Sequence, residues 1–371
     1  MRGADEPVCG AAHLTLPTLR LGPSLSPLKG GEGLVSAGII LVERDGCRAI
    51  KFSSPDSLRL RGEGRGEGRF VEDRMYVKTR PLGGSFACEV LGLRLWDPLH
   101  DGIVHRLRDL WAHNPVLVFR RQALAERELA EFSALFGPLE RVVRTEWASA
   151  VVPEIGLISN LKDGQAKPIG GLGDGELQWH SDQSYMMNPA SGAVLYAVEL
   201  PAEGGTTSWV DLSAAYAALP DRLKDLVEGR HGVFSYVKRL TGYQGVDRVI
   251  SSEAKRKTPP VLHPLVHTHP VTGRKALYLD STTTIGIDGM DDASGSALLD
   301  EIYSFATRPE FVYRHNWQVG DVVMWDNGST MHRREPFDPA ARRLMKRTTI
   351  FLSRERHIVP EGSLATEEAM A

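Results

Sequence analysis

Short β-prone runs divided by turn residues fill the chain from Met75 onward, and that rhythm most limits the folds open to it. Residues 86–90, 116–119, 193–199, 261–269, 275–279, 321–325 and 344–353 each read as strands rich in branched and aromatic side chains. Pro270-Val271-Thr272-Gly273 separates two of them as a hairpin turn does. Between the strands lie a few helices. In 101–112, Ile103, Val104, Leu107, Leu110 and Trp111 recur at helical spacing, and 124–136, 212–219, 220–227 and 292–305 follow. Asp211 or Ser213 is placed to cap the helix at 212. Many short strands with peripheral helices predict an α+β chain built on a double-stranded β-helix, or jelly roll.

The first 74 residues have another character. Leu28-Lys29-Gly30-Gly31-Glu32-Gly33 and Arg61-Gly62-Glu63-Gly64-Arg65-Gly66-Glu67-Gly68-Arg69 are Gly-rich charged repeats that bury too little apolar surface to offset their chain entropy. The apolar patch at 38–42 suits a strand but has no obvious partner nearby. Residues 1–74 are therefore expected to be a disordered extension or the product of a misassigned start, with Met75 a plausible initiator. A single domain is expected over 75–358, and a flexible tail over 359–371.

The formal charge of −3 and pI near 6.5 give no global argument for nucleic acid or an anionic membrane. No apolar run approaches the roughly 18–20 residues needed to span a bilayer. The start of the chain lacks the basic-then-apolar pattern of a signal peptide. Cys9, Cys47 and Cys88 have neither metal-ligand nor disulfide-framework spacing. Together these features predict a cytoplasmic protein; a homo-oligomer is expected.

Chemistry concentrates in one stretch, 175–185, which contains His180-Ser181-Asp182. On a strand, residues i and i+2 share a face, so His180 and Asp182 project together. They supply two of the three ligands of a 2-His-1-carboxylate site. Alone, His-x-Asp also suits an ordinary surface strand. Candidates for the third ligand are the cluster His263, His267 and His269, better read as a hairpin with partly exposed imidazoles, and His332, which follows the strand at 321–325. After His332 the chain turns basic. If 343–351 is a strand, Arg343, Met345, Arg347 and Thr349 share one face. They form either a charged edge strand or a pair of guanidinium groups facing a cavity that holds anions.

In Trp179-His180-Ser181-Asp182, Gly204-Gly205-Thr206-Thr207, His332 and Arg342-Arg343-Leu344-Met345-Lys346-Arg347-Thr348-Thr349, the sequence resembles the taurine dioxygenase/2,4-dichlorophenoxyacetate dioxygenase (TauD/TfdA) family of Fe(II)- and 2-oxoglutarate-dependent oxygenases. The resemblance runs from about Leu82 to Arg354. It implies that His180, Asp182 and His332 hold Fe(II). It further implies that Arg343, eleven positions after His332, and Thr207 bind 2-oxoglutarate, while Arg347 faces the acidic group of a small anionic substrate. The family often has Asp where Thr206 stands, a position that carries no ligand. The implied reaction consumes O₂, releases succinate and CO₂, and hydroxylates a C–H bond of a sulfonate, sulfate ester or aryloxy or alkyl carboxylate. Tyr185 and Met186, with Met187, are expected to favour a larger apolar substrate body. The Gly-rich connection within 145–178 is expected to act as a lid. Two other readings are a zinc-type hydrolase and a catalytically silent jelly-roll binding module; neither accounts for Arg343 and Thr207.

Overall fold

Alternation along one strand sorts the core. In β9 (Gly192–Glu199), Ala193, Leu195 and Ala197 turn to one side of the sheet, and Val194 and Tyr196 to the other. Both sides are buried, which is why the run is apolar throughout instead of alternating with polar residues. The computed structural model describes residues 39–44, 47–52, 77–83, 86–241, 258–355 and 362–364. Around β9 it forms a large mixed sheet. Its strands are β1 (Ile39–Arg44), β2 (Cys47–Phe52), β3 (Lys78–Pro81), β4 (Ala87–Leu91), β5 (Val116–Phe119), β6 (Gly156–Ser159), β7 (Gly171–Leu172), β9, β17 (Val322–Asp326) and β19 (Leu344–Ile350). Across the sheet they run β1-β2-β3-β4-β5-β17-β9-β19-β6-β7.

A second sheet faces it, in the order β16 (Val312–His315), β10 (Thr207–Asp211), β18 (Thr330–Arg334), β8 (Leu177–His180). Trp209 and Tyr313 from this sheet join Ala193, Leu195, Val323, Trp325 and Met345 from the large one in a single apolar cluster. The outer face of the large sheet carries α1 (Asp101–His113) and α2 (Glu126–Ala134), with Leu107, Trp111, Leu129 and Phe132 packed on Leu117, Phe119, Val194 and Met324. The outer face of the small sheet carries α3 (Leu212–Ala218), α4 (Asp221–Val227) and α6 (Asp292–Ala306), against Val210 and Met331. Asp211 rather than Ser213 caps α3, accepting from the backbone N–H groups of Ser213 and Ala214. The result is a sheet-rich α+β chain. Among the described residues no helix is long and apolar enough to cross a membrane.

Several sequence expectations change here. The patch at 38–42 does have a partner: β1 pairs antiparallel with β2, and β2 meets β3 through Arg48 and Thr79. The remainder of 1–74 lies outside the described residues. The connection at 145–178 is not one loop, because β6 pairs with β19 and β7 with β6. β19 consequently lies between β9 and β6, not at an edge. Residues 261–269 divide at Leu265. β12 (Val261–Pro264) joins a third sheet with β11 (His231–Phe234), β15 (Thr284–Ile287) and β20 (Ser363–Leu364), while β13 (Val266–Thr268) pairs with β14 (Lys275–Leu277). Part of the expected tail is thus a strand; residues 356–361 and 365–371 lie outside the described residues.

At the start of β9 the chain has no room for a side chain. A Cβ on Gly192 would lie 2.6 Å from the Trp111 ring and 2.7 Å from the Trp325 carbonyl oxygen. The backbone on one side cannot yield without disturbing the β9–β17 ladder. Gly192→Val is expected to cost about 1–3 kcal/mol by overpacking, read as a lower urea midpoint. Gly164→Ala, at an exposed position with nothing within 4 Å, should leave that midpoint unchanged.

Candidate metal and cosubstrate site

The site lies between the two sheets, and strand pairing assembles it. His180 ends β8 and is the register partner of His332 in β18, with ring centroids 4.1 Å apart. β8 stops there. Asp182 sits in the following turn, which Gln183 completes with a φ of 59°. The carboxylate therefore reaches the histidines through a turn, not through the i/i+2 face of a continuing strand. Two hydrogen bonds from Asn327 hold the turn: Ser181 Oγ donates to its carbonyl oxygen at 2.8 Å, and its Oδ1 accepts from the Asp182 N–H at 3.4 Å.

His180 Nε2 and His332 Nε2 each lie 4.0 Å from an Asp182 oxygen, and one ligand atom from each residue falls within 4.8 Å of the others. Among the described residues this is the one such cluster of metal-ligand side chains. All three side chains are buried. His180 Nδ1 lies 2.7 Å from the Gln178 carbonyl; with the proton there, Nε2 keeps its lone pair for a metal. Burial, followed by the neighbouring His332 charge, holds His180 well below the ordinary imidazole range. Burial likewise pushes His332 down to about 4, so both rings are neutral ligands at pH 7. Burial would raise the Asp182 carboxyl, but Arg347, the two histidines and Arg239 outweigh it and hold it below the carboxylate range. Asp182 Oδ2 and His332 Nδ1 are buried without hydrogen-bond partners. Two neutral imidazoles and one anion with an unused oxygen fit a divalent cation.

On the facing sheet, Met345 and Arg347 lie along β19 two residues apart, while Arg343 immediately precedes the strand and is set off from it by a register irregularity between Leu344 and Met345. Arg343 is 1% exposed, and its Nε has no acceptor. Burial, then the Arg334 charge, lowers it to about 9, and no carboxylate bears on it. Stacked near the Phe337 ring, with the centroid 5.7 Å away, the guanidinium is a buried cation awaiting an anion. Gly205 makes room for it, and Gly204 for the Pro336–Phe337 backbone beside it. Both have positive φ, and a Cβ on Gly205 would stand 3.3 Å from Arg343 Nε, so no other residue fits this turn without strain. Two residues on, Thr207 Oγ1 accepts from Trp317 Nε1 at 2.9 Å, which leaves its own hydroxyl proton to donate.

Arg347 is not turned wholly to a cavity. Its Nη1 lies 3.1 Å from Asp182 Oδ1, an ion pair with the ligand carboxylate. Tyr185 is half-buried with its ring 4.7 Å from that of Tyr236, while Met186 and Met187 are each nearly half exposed, so neither methionine is core packing. The cluster of His263, His267 and His269 stays apart from the triad. Contrary to the expected exposure, His263 and His269 are fully buried; His263 Nε2 lies 2.9 Å from the Met186 carbonyl.

Sequence reasoning missed Asn327, Asp280 and Arg239. Asn327 follows a β-strand and Asp280 an apolar run, and nothing in their spacing joins them to a turn about 100–145 positions away. The charge of Arg239, on α5 (Tyr236–Thr241), bears on all three triad residues.

Comparison with known proteins agrees with this geometry. The family model described as "Taurine catabolism dioxygenase TauD, TfdA family" matches residues 78–349. An alpha-ketoglutarate-dependent 2,4-dichlorophenoxyacetate dioxygenase from Cupriavidus pinatubonensis is 36% identical over 285 residues, 74% of this chain and 98% of the relative. An (S)-phenoxypropionate/alpha-ketoglutarate-dioxygenase from Sphingobium herbicidovorans is 34% identical, covering 78% of this chain and 97% of the relative. The crystal structure of AAD-2 in complex with Mn(II) and N-oxalylglycine superposes with a TM-score of 0.63 at 34% identity, covering 75% of this chain and 98% of that one. With a His-Asp-His cluster, a buried arginine and a family match spanning both, the chain belongs to the TauD/TfdA family of 2-oxoglutarate-dependent dioxygenases.

Proposed function

We propose that this protein is an Fe(II)- and 2-oxoglutarate-dependent dioxygenase that hydroxylates a C–H bond of a small anionic substrate with an apolar or aromatic body. The observation that carries the reading is Arg343, a buried cation with no carboxylate of its own, facing the sheet that holds the triad. A zinc hydrolase has no use for such a group, and a silent binding module has no use for three convergent ligands. The two facing sheets are read as a double-stranded β-helix, and 75–358 as one catalytic domain.

His180 Nε2, Asp182 and His332 Nε2 would hold the metal. Arg343 would receive the distal carboxylate of 2-oxoglutarate, helped by the Thr207 hydroxyl that Trp317 orients. Bound Fe(II), 2-oxoglutarate and O₂ supply an oxidative decarboxylation, yielding succinate and CO₂, coupled to C–H oxidation. The protein's part is to position, to match charge and to exclude water. Burial of the triad between two sheets does the last.

Charge supports an anionic prime substrate. Arg347 and Arg239 bear on Asp182, and Arg239 also on Asp280. Arg347, now paired with Asp182, would be free to meet a carboxylate, sulfonate or sulfate oxygen were that carboxylate to hold a dication. Tyr185, Met186 and Met187, with residues of 145–178, would wall the substrate body. An aryloxyalkanoate suits such walls better than taurine, in keeping with the acids named for the two relatives.

Three measurements check this reading. Asp182→Ala should abolish 2-oxoglutarate turnover and weaken Fe(II) binding, measured anaerobically by titration, because the site loses its one anionic ligand. Unchanged turnover would remove Asp182 from the metal. Arg343→Ala should raise the KM for 2-oxoglutarate by roughly 30- to 150-fold, the equivalent of about 2–3 kcal/mol for a charge-assisted fork. Thr207→Val should shift it less, in the same direction; a KM unmoved in Arg343→Ala contradicts its role. Across a panel of taurine, alkyl sulfates and aryloxyalkanoates, scored by succinate formation coupled to substrate loss, acids with larger apolar bodies should outperform taurine. Arg347→Leu should erase the preference for anions. Equal turnover of neutral analogues by the wild type would show Arg347 to be structural.

A further inference from the structure

One fully buried carboxylate near the site has no place in the chemistry just described. Asp280 lies in the segment between β14 and β15, 0% exposed, and is not among the three clustered metal-ligand side chains. Its Oδ2 accepts from Ser184 Oγ at 2.6 Å and from the Ser181 N–H at 3.3 Å. These residues flank Asp182 on both sides. Its Oδ1 accepts from the Thr282 N–H at 2.8 Å and Thr282 Oγ1 at 2.7 Å. Thr282 Oγ1 in turn accepts from Arg239 Nη1 at 2.7 Å. The next residue binds the same stretch: Ser281 N–H and Oγ both donate to the Trp179 carbonyl, at 3.1 and 2.6 Å.

We infer that Asp280 is a positioning residue for the metal centre: its carboxylate fixes the turn that delivers Asp182, and so sets metal affinity without touching the metal. This rests on the reading of His180, Asp182 and His332 as metal ligands.

The argument turns on which donors can adapt. Ser184 and Thr282 present hydroxyls, which rotate and can accept as well as donate. The backbone N–H groups of Ser181 and Thr282 can only donate, and they address different oxygens of Asp280. A carboxylate accepts on both sides. An asparagine has one carbonyl oxygen, so its NH₂ group must face one of the two N–H groups, whichever way the amide is turned. The weaker of the two is the turn, since its Ser181 N–H lies 3.3 Å from the carboxylate, whereas the Thr282 N–H lies at 2.8 Å and is next but one in the chain. Asn327 holds the turn from the opposite side by a long 3.4 Å contact to the Asp182 N–H and by Ser181 Oγ. With Asp280 altered, the Asp182 backbone keeps only that second anchor. A ligand carboxylate must hold its place closely to bind well, and outer-shell groups that orient ligands act through this requirement.

The test is Mn(II) binding to the apoprotein, followed by the EPR signal of free Mn(II), with unfolding measured in parallel. Asp280→Asn is expected to raise the Mn(II) Kd by about 10- to 100-fold, the range for losing an outer-shell partner. Ser184→Ala, which removes one of the two turn contacts, should raise it by a smaller factor. Leu107→Ala, in the core on the far face of the large sheet, controls for lost stability and should leave the Kd within about twofold of wild type. A folded Asp280→Asn with wild-type Kd overturns the inference, as does a Leu107→Ala variant that loses Mn(II) equally. Should Asp280→Asn fail to fold, an unchanged Kd in Ser184→Ala overturns it. A different failure marks the underlying reading: if Asp182→Ala binds Mn(II) as tightly as wild type, the triad is not the metal site, and the role of Asp280 falls with it.

Discussion

Everything in the site depends on one antiparallel pairing, β8 against β18. Directly opposed residues in such a pair have close side chains on one face, and His180 and His332 are such a pair. Their rings are 4.1 Å apart between centroids although 152 positions separate them in the chain. A slip of one residue would send His332 to the helix-covered face, where Met331 now packs, and Met331 into the site. Register here is strongly specified, because both faces of β18 are committed: Met331 to the core with α3 and α6, His332 to the interior beside Trp209 and Trp325.

The facing sheet answers with opposite charge. The two layers meet through an apolar cluster of Trp209, Trp325, Leu195 and Met345. The charged groups occupy the same gap, where low polarizability strengthens each attraction and raises the penalty for any group left alone. Arg347 resolves this by pairing with Asp182. Arg343 does not resolve it, and a buried guanidinium without a counter-ion is costly unless a ligand supplies one. The fold thus carries a standing electrostatic deficit at Arg343, where 2-oxoglutarate is proposed to bind. A further layer of support is hydrogen bonding: Asn327 and the Asp280 carboxylate hold the turn that the sheet ladder no longer reaches.

The strands were legible where composition and period agreed. Residues 116–119, 193–199 and 321–325 are apolar runs bounded by turn residues, and each is a strand of the large sheet within a residue or so. β2, the partner of the strand read at 38–42, was missed because a hairpin partner is recognised by pairing, not by composition. β6 was hidden in a Gly-rich connection, since Gly156–Ser159 is too short to show a period and is stabilised by the β19 backbone. The burial of His263 and His269 was unreadable for a related reason: a turn nearby suggests exposure, whereas His263 lies within a third sheet and His269 is buried just after β13.

What the sequence by itself determined is the chemical inventory and its order: His180, Asp182 and His332 as candidate ligands in kind, a pair of arginines at 343 and 347, and the strands that carry most of them. Those follow from side-chain chemistry and from periods of two and 3.6 residues, which are local properties of a chain. Tertiary structure alone decided that Asp182 leaves the strand before it reaches the site, that Arg347 spends its charge on that carboxylate, and that Asp280 and Asn327 brace it from two sides. Contacts between residues a hundred or more positions apart depend on the register of sheets and the packing of layers, and no local period encodes either.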